Sequence, residues 1–193
     1  MPFGTNQFCV WHIPKSGGTW LKNSMNASGI PARHIGQVHA TVEEHETHFF
    51  GVGIDNYQRK NFYVDCLHAV IIRDPIDWYS SVWRWMRNHT ARTPLIEWFP
   101  SLEKGDLEDF PRFLVRNVGS YTEAVKAYSP SGCIHIRTEY MAQDATAWLR
   151  AIGVDFNDDL LWRHPRENVA EEKPPYVSMV LADMIRRTEN GQS

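Results

Sequence analysis

The sequence has few cysteines, no long apolar run and no strong excess of charge of one sign, and each shortage excludes a class of protein. The three cysteines, Cys9, Cys66 and Cys133, are widely spaced and odd in number. They therefore predict neither a disulfide framework nor a metal site. We expect small buried core residues instead, in a reducing compartment.

No stretch approaches the roughly 20 apolar residues that a membrane-spanning helix needs. The N-terminus has no basic region followed by an apolar one, so no signal peptide is predicted. These two features favour a cytoplasmic protein without a membrane span. The net charge of −3 is too small to indicate a general binder of nucleic acid or of anionic membranes, although it leaves room for a local basic pocket.

The length and composition are those of one globular unit. A chain of 193 residues can bury one core and is too short for two full domains, so we predict a single domain over residues 1–193. Strand-like apolar runs alternate with helical segments, which predicts a three-layer α/β/α fold around a central, mostly parallel sheet of four to five strands. The predicted strands are 8–13, 33–40, 66–72 and 133–137, and the predicted helices are 19–25, 76–88, 110–128, 144–152 and 177–187.

The most informative stretch is residues 8–21, where an apolar run, a turn of small residues and a helical segment follow one another. Pro14 ends the strand because proline has no N–H for the ladder. Helical character begins at Thr19. The turn between them consists of Lys15, Ser16, Gly17 and Gly18.

Strand, glycine turn and helix together form the architecture of a phosphate-binding loop. Glycines allow the backbone to approach an anion, and the first turn of a helix has unpaired N–H donors. Lys15 adds a charge, and Ser16 and Thr19 add hydroxyls. The stretch therefore predicts a site for a phosphorylated ligand, with an ordinary strand-to-helix connection as the alternative. It is not an ordinary ATP or GTP site, because the Walker A lysine follows the last glycine and Lys15 precedes both.

A second loop follows the apolar run 66–72. Asp74 is a plausible helix N-cap, Pro75 suits the first helical position, and Arg73 offers a forked donor for phosphate oxygens. A structural ion pair of Arg73 with Asp74 or Asp77 is the alternative. Because the carboxyl ends of parallel strands meet at one edge of a sheet, we expect the strand ends at 13 and 72 to be neighbours.

These two stretches resemble one family. Residues 14–21 resemble the 5′-phosphosulfate loop of the sulfotransferases that use 3′-phosphoadenosine-5′-phosphosulfate (PAPS), and residues 70–75 with Ser81 resemble their 3′-phosphate motif. Residues 119–140 resemble, more loosely, the segment leading into the family's fourth strand. The resemblance implies a P-loop-NTPase-like fold, PAPS as co-substrate and 3′-phosphoadenosine-5′-phosphate (PAP) as product.

The resemblance also implies roles for particular residues. Lys15 would neutralise charge on the leaving phosphate, Trp20 would stack on the adenine, and Arg73 and Ser81 would hold the 3′-phosphate. Thr138 stands where many members have a tyrosine near the adenine. The residues that the resemblance assigns to co-substrate binding are Lys15, Ser16, Gly17, Gly18, Thr19, Trp20, Arg73, Ser81, Arg166 and Lys173.

The resemblance implies a general base just after the second strand. His39 is the first candidate for taking the acceptor's proton, together with Lys15 as the second catalytic residue. Glu43, Glu44 and His45 are the alternatives. No metal is expected, since the family chemistry needs none and the histidine spacing is loose.

The expected acceptor is a small molecule or saccharide with a hydroxyl or amine, and no nucleic-acid partner is expected. Two other functions stay open from the residues. One is a P-loop-type nucleotide kinase or hydrolase, which would share the sheet. The other is a non-catalytic nucleotide-binding module that kept the loop and lost the chemistry.

Overall fold

The computed structural model describes residues 2–35, 41–43, 66–89, 120–165 and 179–190. In chain order its elements are β1 (Phe3–Gly4), β2 (Phe8–His12), α1 (Gly18–Ala27), β3 (Arg33–His34), β4 (Leu67–Ile72), α2 (Pro75–His89), α3 (Tyr121–Tyr128), β5 (Ile134–Arg137), a 3₁₀ turn (Thr138–Tyr140), α4 (Met141–Ala151), α5 (Asp158–Arg163) and α6 (Met179–Glu189).

The strands form one five-stranded sheet in the order β3-β1-β2-β4-β5. β2, β4 and β5 run parallel, whereas β1 is antiparallel to both β2 and β3. Within the described ranges the sheet has five strands, as the expected four to five allow, and the α/β class is confirmed, but the sheet is only partly parallel. The difference comes from β1, which turns back into β2 within three residues; a connection that short can join only antiparallel strands.

Tertiary contacts divide the chain into two compact units, residues 1–72 with 125–169 and residues 73–124 with 170–193. The single domain expected from the sequence stays a prediction. In the first unit, all five residues of β2 are buried, as expected for a strand covered on both faces. One face of the sheet packs its apolar side chains against α1, α4 and α5. The buried residues of this core include Phe8, Val10, Leu21, Met25, Ala69, Ile71, Ala145, Leu149 and Leu161.

In the second unit, α2 begins as the sequence predicts. The Asp74 carboxylate accepts hydrogen bonds from the N–H of Ile76 (2.8 Å) and of Asp77 (3.3 Å), so it caps the helix whose first residue is Pro75. Trp78 and Tyr79 are buried, and their rings meet edge to face with centroids 5.0 Å apart. α2 therefore contributes its aromatic face to the core of this unit.

Helix α5 was not predicted, since none of the predicted helices or strands covers residues 158–163. Asn157 caps it by accepting a hydrogen bond from Leu160 N–H at 3.1 Å, and two aspartates occupy its first turn. An Asn cap followed by acidic residues is a helix-start signal that could have been recognised. Across the described ranges, none of the helices is both long and apolar enough to cross a lipid bilayer.

Two of the three cysteines, Cys9 and Cys66, are core residues, as predicted. Cys9 and Cys66 are buried and Cys133 is half-buried, and all three are free thiols. Burial raises the pKa of the Cys66 thiol to about 11 and that of Cys9 well above its ordinary value. Both thiols are therefore protonated at neutral pH, which makes them poor nucleophiles.

Candidate anion-binding site after strand β2

The candidate site is the turn that joins β2 to α1. The backbone N–H of Ser16 donates to the carbonyl oxygen of Ile13 at 3.1 Å, and the Ser16 hydroxyl donates to the same oxygen at 2.6 Å. The Ser16 side chain is fully buried. It therefore closes the turn from inside, and the direct ligand contact that the resemblance assigns to it stays a prediction.

Gly17 is the N-cap of α1 and has a φ of 87°, in the left-handed region that favours glycine. A Cβ built at this position would lie 2.7 Å from Cε of Met141, at the start of α4. The backbone conformation thus favours glycine, while the flexible end of the Met141 side chain would only have to shift to admit a Cβ. The site keeps open backbone at the point where an anion would approach.

Gly18 is required for a different reason, because α1 begins against the imidazole of His12. A Cβ at residue 18 would lie 2.3 Å from Cγ and 2.4 Å from Cδ2 of that ring. His12 is buried at the end of β2. The first turn of α1 can approach the strand this closely only with glycine at this position.

The N-terminus of α1 presents backbone donors. The first helical hydrogen bond runs from Leu21 N–H to the carbonyl oxygen of Gly17 at 3.2 Å. In the described part of the chain, the N–H groups of Gly17, Gly18 and Thr19 have no hydrogen-bond acceptor. Unpaired N–H groups at the positive end of a helix dipole bind anions, and the first turn of α1 contains no acidic residue to take that place.

Lys15 has a left-handed backbone conformation, with a φ of 70°. A side chain in this region costs on the order of 1–3 kcal/mol, and such outliers cluster at ligand sites. Glycine would adopt the same conformation without that cost. The lysine at this point of the turn therefore holds a strained backbone conformation directly before the open N–H groups of α1.

Thr138, in the 3₁₀ turn after β5, links the ends of the three parallel strands. Its Oγ1 lies 2.8 Å from the carbonyl oxygen of Ser16 and 2.8 Å from that of Ile72. Ser16 follows β2 and Ile72 ends β4, so one hydroxyl connects all three strand ends. From the sequence, Thr138 was identified only as a residue that stands where many members of the sulfotransferase family have a tyrosine. No local pattern could have revealed this contact.

Arg137, the last residue of β5, makes structural contacts. Its guanidinium makes two 2.8 Å hydrogen bonds to the carboxylate of Asp144, and it lies over the Tyr140 ring at 4.5 Å. The hydrogen bonds from Arg137 are the main cause of the lowered pKa of Asp144. This pair holds the 3₁₀ turn that contains Thr138 against the start of α4.

Trp20 packs partly buried against the core of the first unit. Its indole N–H donates to the carbonyl oxygen of His164 at 3.2 Å, which joins α1 to the end of α5. These contacts are those of a structural tryptophan. Stacking of Trp20 on an adenine stays a prediction from the resemblance.

Arg73 and Ser81 belong to the second unit. Arg73 directly follows β4, and its backbone N–H donates to the Tyr121 hydroxyl at 2.6 Å. Ser81 is half-buried on α2, whereas its neighbour Ser80 is buried and donates to the carbonyl oxygen of Ile76. Ser81 is thus the more accessible of the two serines, as a ligand contact requires.

Several predicted residues lie outside the described residues: His39, Glu44, His45, Arg166 and Lys173. Glu43 is described and exposed. Among the described side chains, no group of three or more His, Cys, Asp or Glu has the arrangement of a metal site. Compared with known proteins, the chain matches no family model, no curated protein and no solved structure.

Proposed function

We propose that this chain is a PAPS-dependent sulfotransferase that transfers a sulfuryl group to a hydroxyl or amine of a small-molecule or saccharide acceptor. The observation that supports the proposal is the turn between β2 and α1, in which open N–H groups of Gly17, Gly18 and Thr19 follow a strained Lys15. We further propose that the sheet is the centre of a P-loop-like three-layer fold in a cytoplasmic protein.

The residues of the turn suit a substituted phosphate that gains negative charge when it leaves. PAPS supplies an activated sulfuryl group joined to its 5′-phosphate. The N–H groups of α1 would bind oxygens of that phosphate, and the Lys15 ammonium would neutralise the charge that develops there. Group transfer of this kind needs positioning and charge stabilisation more than covalent help from the protein, which is what such a turn provides.

The proposed transfer is a single displacement. The acceptor oxygen or nitrogen forms a bond to sulfur as the bond between sulfur and the phosphate oxygen breaks, which releases PAP. The acceptor's proton goes to a general base, for which His39 is the first candidate and Glu43, Glu44 and His45 are the others. Substituting His39 and Glu43 separately and measuring turnover distinguishes the two positions.

The resemblance proposes further contacts to the nucleotide. Arg73 and Ser81 would bind the 3′-phosphate, Trp20 the adenine, and Arg166 and Lys173 would come from a loop covering the nucleotide. Each is tested by its own alanine substitution, with affinity for PAP as the readout. The proposal for the 5′ end does not depend on these contacts.

The central test measures PAP binding by calorimetry and PAP release from PAPS in the presence of a panel of acceptors. We expect wild-type protein to bind PAP and Lys15→Ala to lose most of the turnover, because the leaving phosphate then keeps its charge. Lys126→Ala is the matched control, since Lys126 is exposed on α3. Absence of PAP binding by the wild-type protein would overturn the proposal.

The same experiment separates the two alternatives. Magnesium-dependent turnover of ATP, without use of PAPS, would favour a P-loop-type kinase or hydrolase. Tight binding of PAP with no turnover of PAPS by any acceptor, in the wild-type protein and equally in Lys15→Ala and His39→Ala, would favour a non-catalytic nucleotide-binding module.

A further inference from the structure

The carboxylate of Glu189, at the end of α6, is the acceptor for four hydrogen bonds within the second unit. Oε1 accepts from the Tyr79 hydroxyl (2.6 Å) and from Tyr121 N–H (2.9 Å). Oε2 accepts from the N–H and the hydroxyl of Thr122, both at 2.7 Å. A carboxylate has about four lone-pair positions, so the acceptor capacity of Glu189 is fully used.

These bonds do more than start helix α3, because α3 has its own cap. Ser120 N–H donates to Oε2 of Glu123 at 2.6 Å, and Glu123 N–H donates to the Ser120 hydroxyl at 3.1 Å. This reciprocal pair is a complete capping box. The box leaves the N–H groups of Tyr121 and Thr122 to be paired, and Glu189 accepts from both, so these two residues are tied to α6.

Tyr121 passes this constraint to the residue that follows β4. Its side chain is only 5% exposed, and its ring lies 5.1 Å from that of Trp78. Its hydroxyl accepts a hydrogen bond from Arg73 N–H at 2.6 Å. A buried ring held at its backbone by Glu189 thus fixes the backbone from which the Arg73 guanidinium extends.

We infer that Tyr121 and Glu189 are positioning residues for Arg73, and that the C-terminal helix α6 thereby determines how strongly the protein discriminates for a 3′-phosphate. The inference rests on the proposed function, because Arg73 is the proposed partner of that phosphate. Neither residue is assigned any contact with the nucleotide itself.

Tyr79 supports the network by staying protonated. Burial, followed by the hydrogen bond to Glu189, raises the pKa of the Tyr79 hydroxyl far above its usual value. The hydroxyl therefore remains a donor to Glu189 over the whole physiological pH range. The four donors act together on one carboxylate, and loss of one weakens the constraint on Tyr121.

The test compares affinity for PAP with affinity for AMP, which has the 5′-phosphate and lacks the 3′-phosphate. We expect Tyr121→Phe and Glu189→Gln each to reduce the PAP-to-AMP affinity ratio about tenfold while the AMP affinity is unchanged. Tyr128→Phe on the same helix is the matched control and should keep the wild-type ratio. Thermal unfolding checks that each variant is folded. If one variant does not fold, the other is sufficient for the test.

A double-mutant cycle then identifies the route of the effect. If Tyr121 acts through Arg73, the double variant Tyr121→Phe with Arg73→Ala should have the same ratio as Arg73→Ala alone. An unchanged ratio in both single variants would overturn the inference and leave the proposed function intact. Equal losses for PAP and AMP would also overturn it, because they indicate general loosening. Failure of the wild-type protein to bind PAP would overturn both proposals.

Discussion

Thr138 and Ser16 are 122 positions apart in the chain and are joined by a 2.8 Å contact between the Thr138 hydroxyl and the Ser16 carbonyl oxygen. The same hydroxyl lies 2.8 Å from the carbonyl oxygen of Ile72. The candidate anion-binding turn is thereby connected to the ends of both other parallel strands. The geometry of the turn depends on β5 as well as on its own sequence.

Removing this hydroxyl should destabilise the protein. Thr138→Val keeps the side-chain shape and removes the single O–H proton that can be donated to one or the other of these two carbonyl oxygens, so we expect a loss of about 1–2 kcal/mol in the free energy of unfolding. Urea denaturation measures this. Thr188→Val on α6 is the control for the same chemical change, and equal losses in the two variants would contradict the assignment.

Lys15→Gly should give a more stable protein than Lys15→Ala, although both substitutions remove the ammonium group. Glycine adopts the φ of 70° without strain, so we expect a gain of about 1 kcal/mol relative to Lys15→Ala, which keeps a Cβ in the same conformation. Denaturant unfolding of the two variants gives the difference. If the glycine variant is no more stable than the alanine variant, the backbone at residue 15 is not strained.

Gly18→Ala should be destabilising because of the imidazole beneath it. The new Cβ would lie 2.3 Å from Cγ of His12, and overpacking of this kind costs about 1–3 kcal/mol. In a His12→Ala background the same substitution should cost much less. Measuring unfolding free energies for all four proteins tests the contact, and additive effects would show that the clash lies elsewhere.

The stability of the first unit should fall in mild acid because of His68. The Trp11 indole N–H donates to Nδ1 of His68 at 3.2 Å, and burial lowers the pKa of this imidazole below its ordinary value of 6.5. Since the folded state disfavours the charged form, the stabilising contribution is present above pH 6.5 and decreases as the pH falls below it.

The pH prediction is checked by the difference in unfolding free energy between two proteins. The stability of wild-type protein minus that of His68→Gln should decrease between pH 7.5 and pH 5.5 in urea denaturation. His34, whose pKa is lowered mainly by burial, titrates in both proteins and cancels in the comparison. A constant difference over this range would mean that His68 is not the titrating group.

Local chemistry explains what could be predicted from the sequence. The end of β2 and the start of α1 were each predicted to within one residue, since Pro14 ends a ladder and glycines permit the turn. The Asp74 cap was predicted for the same kind of reason. These signals lie within a few residues of the structure that they determine.

The features that were missed depend on contacts between distant residues or on very short elements. β1 has two residues and shows no periodicity, so the antiparallel part of the sheet could not be predicted. The Thr138 contacts, the packing of His12 under Gly18 and the Glu189 network all join separate segments of the chain. Their residue types are ordinary, and only the fold brings them together.

The Thr138 contact has a consequence for biosynthesis. A ribosome makes the glycine turn more than a hundred residues before it reaches Thr138. On the nascent chain the turn therefore lacks the hydroxyl that connects it to its neighbours. The complete arrangement can form only after translation has passed residue 138.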